Sequence, residues 1–212
     1  MTKAILARKV GMTQIFDEQG RVIPVTVLEA GPCRVVQVKS MDKDGYNGIQ
    51  VGFIEKKANR VNRPLKGHFK RAGVNPLQYL REIRVDDSSI YNAGQELKAD
   101  SFAAGDYVDV SATARGKGFA GSIKKMGFSR GPKTHGSHYY RGPGSLGSVD
   151  AARVFKGRPL PGRMGNWRRT VQNLSVVESD GEKNILLVKG SVPGPRGGLV
   201  EVKEAIKKKV SG

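Results

Sequence analysis

Between residues 115 and 169 the chain carries 13 Lys or Arg and one acid, Asp150, whereas the remaining 157 residues carry 24 bases and 18 acids. The same 55 residues hold 12 of the 28 glycines, together with Pro132, Pro143, Pro159 and Pro161. Such a stretch has too little apolar surface to offset the entropy of ordering it, and its own charge opposes compaction. It is expected to take its shape against a polyanion. A solvated linker would tolerate Ser, Glu and Gln; this one is nearly free of acid. Arginine supplies a planar fork for phosphate and a face for bases, and glycine lets the backbone approach either closely.

The flanks read differently. The runs 22–28 and 33–39 are rich in β-branched residues and are separated by the turn signal Ala30-Gly31-Pro32. Residues 49–53 and 107–111 alternate as half-buried strands do, 170–177 and 184–188 flank the turn 179–182, and 199–202 closes the set. Many short strands with Gly/Pro turns predict a mainly β fold with minor α, built on a small antiparallel barrel. Strand material resumes after 169, so the basic segment is an insertion. The expected organisation is a discontinuous β-domain, 1–114 plus 170–212, interrupted by a long extended basic loop, 115–169. Within the β-domain a basic, partly helical insertion is expected at about 55–95. Short helices are predicted at about 63–72, with Leu65 and Phe69 both turned inward, and at about 118–126.

At 38% apolar residues the chain can build a core. No run approaches the roughly 18 apolar residues of a membrane span, and Met1 to Arg8 contains no apolar signal core; neither membrane nor secretion is expected. A single cysteine, Cys33, allows no internal disulfide and suits a reducing cytosol.

Gly116-Lys117-Gly118-Phe119-Ala120-Gly121 matches G-x-G-x-x-G, the dinucleotide fingerprint. A basic Gly/Pro stretch follows it where a βαβ unit needs a second strand, so the expected ligand is an RNA phosphate held by Lys117 and backbone amides at a helix start. His135 and His138 lack further ligand partners, and no metal or cofactor is expected. With Tyr139 and Tyr140 they are candidates for stacking on bases, as is Trp167, read as a partly exposed ring. No nucleophile elbow, paired carboxylates or Walker-type lysine appears. Asn173-Leu174-Ser175 fits a glycosylation sequon but reads as strand. The phosphate-contact candidates in the loop are Arg115, Lys117, Lys124, Lys125, Arg130, Lys133 and Arg141, then Arg153, Lys156, Arg158, Arg163, Arg168 and Arg169. A second basic patch contains Lys56, Lys57, Arg60, Arg63, Lys66, Lys70 and Arg71, with His68 among them and Glu55 as the one acid. Lys207-Lys208-Lys209 reads equally as a contact or a solubilising tail.

Taken in order, a set of motifs resembles one family over nearly the whole chain: the universal third protein of the large ribosomal subunit, in its bacterial form. They include 9–16 (KVGMTQIF), 23–27 (IPVTV), 56–60 (KKANR), 67–69 (GHF), 115–121 (RGKGFAG), 134–137 (THGS), 154–157 (VFKG), 162–165 (GRMG), 170–172 (TVQ) and 186–190 (LLVKG). Lys9, in the first of these, joins the expected rRNA contacts. The resemblance implies a translation-protein-type barrel on 23S-type rRNA near its 3′ domain, an early role in ribosome assembly, and neighbouring ribosomal proteins as partners. It implies that the loop 115–169 runs toward the peptidyl transferase centre, with Gly144, Ser145, Leu146, Gly147, Ser148, Val149 and Asp150 at its tip. Some members carry a methylated tip glutamine; here no glutamine occurs between Gln95 and Gln172, and that modification is not expected. Asp150 at such a tip would bind an ion, pair with Arg153 or face a protein. The expected function is that of a cytoplasmic, non-enzymatic structural constituent of the large subunit, without a small-molecule substrate. Two alternatives are a β-barrel flavin- or nucleotide-binding enzyme using the 116–121 glycines, and a free RNA chaperone.

Overall fold

The computed structural model describes residues 3–208; Met1, Thr2 and Lys209 lie outside them. Strands β1 (Ala4–Phe16), β2 (Val22–Ala30) and β3 (Cys33–Lys39) lead through a single-turn helix α1 (Met41–Asp44) to β4 (Gly48–Glu55). Helix α2 (Arg63–Ala72), β5 (Leu77–Arg84), β6 (Glu96–Leu97) and β7 (Tyr107–Thr113) follow, then β8 (Phe119–Ala120), α3 (Ser122–Met126) and β9 (Gly162–Arg163). The chain ends with β10 (Arg168–Asp180), β11 (Ile185–Lys189) and β12 (Leu199–Glu204). It divides into two compact units: one takes the residues up to Thr113 and from Arg168 onward, the other is Ala114–Trp167.

In the first unit six strands close a barrel in the order β1-β12-β7-β10-β11-β2, every neighbouring pair antiparallel. Period-2 patterning explains the simplest of them: Val200 and Val202 of β12 are buried, while Leu199, Glu201 and Lys203 are only partly covered. A four-stranded sheet, β5-β4-β3-β6, shares the same core. That sharing explains why Ile5, Leu6 and Ala7 of β1 are all fully buried in succession: both faces of the strand are covered. Cys33 of β3 bonds through its Sγ to the Leu6 carbonyl at 3.2 Å, and burial pushes its thiol up to about 12. Strand β7 is likewise buried on both sides, because its polar residues have partners. Ser111 Oγ meets Thr170 Oγ1 at 2.7 Å, and Asp109 accepts the Asn173 amide at 2.9 Å, where β10 bulges and Asn173 has φ +57°.

Helix α2 is fixed by its ends. Asn62 accepts the Leu65 amide at its start, a proline follows, and Gly73 closes it in the left-handed region while Val74 donates back to the Phe69 carbonyl. It buries Phe69 with Val36, Val61, Val74 and Leu77 in a small second core. Leu65, expected inside, is 40% exposed; one turn from the N-terminus, it lies beyond the edge of that small core. Gly52 of β4 makes room for this packing, since a Cβ there would lie 2.1 Å from Leu77 Cδ1.

Five strands were absent from the expected set: the two-residue β6, β8 and β9, and the longer β1 and β5. β1 has no clean alternation, and β5 (LQYLREIR) hides in the region read as a partly helical basic insertion. The helix expected at 118–126 shortens to the five residues of α3, because Phe119 and Ala120 pair as strand β8.

Candidate nucleic-acid interface

The last barrel residue of β7 and the first of β10 are register partners, Thr113 opposite Arg168. Within the inserted unit the two chain ends run as an antiparallel neck. Ala114 N–H bonds the Trp167 carbonyl (2.9 Å), Asn166 N–H the Ala114 carbonyl (3.0 Å), Lys117 N–H the Met164 carbonyl and Met164 N–H the Gly118 carbonyl (both 2.9 Å). Phe119 and Ala120 then pair with Arg163 and Gly162. Gly165 is required here: its φ is +73°, and a Cβ would sit 2.1 Å from the Arg115 carbonyl oxygen.

This geometry rules out the nucleotide-binding alternative for Gly116–Gly121 and corrects the expected helix-start placement of Lys117. The ribbon is antiparallel, so no βαβ unit exists to hold a dinucleotide. Nor does Lys117 sit at a phosphate-binding helix start: its amide is donated to Met164, and α3 begins five residues later as little more than one turn.

Beyond the neck, regular structure is confined to α3, and turns set the path. Gly131 N–H bonds the Tyr140 carbonyl at 3.0 Å, and the Tyr139 ring covers Gly142 so closely that a Cβ there would fall 2.0 Å from Tyr139 Cζ. Phe128, Arg130, Tyr139 and Gly142 line a concavity of about 340 Å³, an aromatic-and-guanidinium lining suited to an unstacked base. Toward the tip, Arg158 donates to the Ser145 carbonyl and Arg153 lies over the Phe155 ring at 5.1 Å. Asp150 is exposed and, among the described residues, forms no ion pair, so the Arg153 pairing is not made.

The cations of the arm face outward: Arg115, Lys117, Lys124, Arg130, Lys133, Arg141, Arg153, Lys156, Arg158, Arg163, Arg168 and Arg169 are exposed, and Lys125 is half-buried. Arg168 is partly neutralised by Glu201 at 2.6 Å. His135, His138, Tyr139 (65%), Tyr140 (39%) and Trp167 (39%) are also exposed. Phe119, absent from the expected contacts, is 79% exposed directly opposite Arg163.

In the other unit, Lys56, Lys57, Arg60, Arg63, Lys70 and Arg71 are exposed along the approach to α2 and on the helix itself, while His68 is half-buried with Nε2 2.6 Å from Gln50 Oε1. Lys9 does not belong with them. It is 9% exposed, its Nζ donates to the Val192 carbonyl at 2.7 Å, and burial lowers its pKa; its charge is spent inside the barrel.

A closed barrel whose β7–β10 connection is a separate glycine-rich unit bearing exposed cations and almost no acid has the charge character of a polyanion-binding protein. The sequence profile of the ribosomal protein L3 family matches residues 82–184. The large ribosomal subunit protein uL3 of Carboxydothermus hydrogenoformans is 62% identical over 209 residues, covering 99% of this chain and 100% of that protein. The uL3 of Pelotomaculum thermopropionicum is 59% identical over 207 residues, covering 98% and 99%. The chain belongs to the ribosomal protein L3 family.

Proposed function

We propose that the protein seats its barrel and the basic face of α2 on large-subunit rRNA and threads the arm of 114–167 into that RNA. It is a structural constituent of the large ribosomal subunit and not an enzyme. The observation that carries the RNA-contact reading is the arm: ten exposed Lys and Arg in 114–167 with only Asp150 as an acid among them. Phosphate contacts of this kind set affinity and position, and the exposed rings at Phe119, Tyr139, Tyr140 and Trp167 supply sequence-tolerant stacking. The placement on the 3′ domain of 23S-type rRNA, early assembly, and a tip at 144–150 near the peptidyl transferase centre are the finer parts of this reading. Family membership and the arm's composition support them. Its influence on peptide transfer is then indirect, through the rRNA conformation it holds.

The test is binding of a 3′-domain rRNA fragment followed across salt concentration, beside a chain whose arm is excised. Comparable affinity of the two chains would overturn the arm's role. Retention on large subunits through washes in moderately high salt separates a resident constituent from a cycling chaperone.

A further inference from the structure

Strand β11 stops pairing with β2 at the Lys189–Val25 rung. Beyond it, β1 and β2 continue as a two-stranded ribbon in which Gln14 faces Pro24 and Phe16 faces Val22, while Met12 faces Thr26 on the rung just before, where Thr26 still pairs with Val188 of β11. Opposed residues and residues two apart share a face, so Met12, Phe16, Val22 and Pro24 lie on one exposed face, apolar except for Gln14 between Met12 and Phe16. Met12 is 52%, Phe16 64% and Val22 54% exposed. A two-stranded ribbon is marginal alone in water, yet this one is well defined. Asp17 closes its turn by accepting the Gln19 and Arg21 amides (3.0 and 2.8 Å) and the Arg21 guanidinium (2.7 Å), and at its base Arg196 donates to the Val10 carbonyl. The ribbon holds an exposed apolar face firmly in one orientation.

Its charge says what kind of partner it fits. Residues 10–24 contain Asp17, Glu18 and Arg21, and Arg21 is already paired with Asp17. In a chain of net charge +18 this ribbon is net negative, with Glu18 at its tip. A surface meant for RNA carries free cations to replace counterions; in this ribbon the one cation, Arg21, is taken by Asp17, and the nearest others, Arg196 and Lys189, stand at its margin on the Val10 carbonyl and beside Asp17. We infer that the face formed by Met12, Phe16, Val22 and Pro24 docks a neighbouring ribosomal protein of the same subunit, through an apolar patch on that protein bordered by Lys or Arg that meet Glu18. The inference rests on the chain's seat in the large subunit.

The test introduces a photo-crosslinking group in intact large subunits, Phe16→p-benzoylphenylalanine. The expected result is one nuclease-resistant adduct with another protein of the subunit, mapping to a peptide with apolar residues flanked by Lys or Arg. An adduct with rRNA, or with a second copy of this chain, overturns it. So does peroxide oxidation of Met12 that is as fast in the subunit as in the free chain. Met12→Ser combined with Phe16→Ser should reduce that neighbour's occupancy in assembled subunits several-fold, leaving the free chain's rRNA affinity and its salt dependence unchanged. A loss of rRNA affinity in this variant identifies the ribbon as an RNA surface and ends the proposal. A wild-type chain that fails to bind rRNA fails the functional reading instead, by a separate measurement.

Discussion

Thr113 and Arg168 face each other across β7 and β10, so a 54-residue excursion, Ala114–Trp167, begins and ends on one rung of the barrel. The barrel register therefore does not depend on what lies between them. Replacing residues 121–161 with a short glycine turn, which keeps the Phe119–Arg163 rung, should leave a soluble chain with an unchanged β-type circular dichroism spectrum. If about eight arm cations meet phosphate, the intact chain should lose roughly 5 to 7 decades of affinity per decade of salt, and the excised chain should lose far fewer. A truncated chain that unfolds would show that the arm belongs to the core.

Phe119 and Arg163 separate two kinds of contact at one rung. Phe119→Ala should cost about 1–3 kcal/mol of RNA binding, the scale of a lost stacking partner, with the salt slope unaltered. Arg163→Gln should weaken binding across sequences and lower the slope by about one. A filter-binding series in salt distinguishes them, and identical behaviour would contradict the stacking role of Phe119.

Cys33 should be chemically silent while the fold persists. Its thiol is buried against Leu6 and pushed up to about 12, and the thiolate is the species that reacts. A disulfide reagent at pH 8 should label it only as denaturant unfolds the chain, with coincident midpoints for labelling and loss of circular dichroism.

Acid should loosen the first unit through carboxylates held below their ordinary range. The Arg21 amide and guanidinium act on Asp17, Lys39 and the Tyr46 hydroxyl on Glu82, the Ser89 amide on Asp87, and the Lys183 amide on Asp180. A depressed carboxylate contributes stability that is present above its unfolded value and lost as pH falls through its folded one. The thermal midpoint should therefore hold near neutrality and decline below about pH 4. Glu82→Gln should flatten part of that decline and free Lys39, which Glu82 and Tyr46 raise above the usual lysine value.

The sequence marks features whose causes are local. Alternation in β12, Asn62 and Gly73 bracketing α2, and the charge imbalance of 115–169 are all visible within a few residues. What it hides depends on distant partners. Lys9 looks like any surface lysine until the Val192 carbonyl, 183 positions away, takes its ammonium. The Ile5-Leu6-Ala7 run loses its strand periodicity because a second sheet covers its outer face, and Leu65 is exposed because the core beneath α2 ends at Phe69. In the arm, the glycines at 142 and 165 read only as places where the backbone could approach RNA closely. Their actual duties, seating the Tyr139 ring and passing the Arg115 carbonyl, appear once the turns are in place.

The ring of six strands has one more consequence. Because β1 and β2 seal it, every strand in the ring has a neighbour on both sides where the ring is closed, so another chain could zip only onto the β1–β2 ribbon beyond β11 or onto the outer strands of the four-stranded sheet. Closure thus confines any strand-by-strand association of a newly made copy to those few margins.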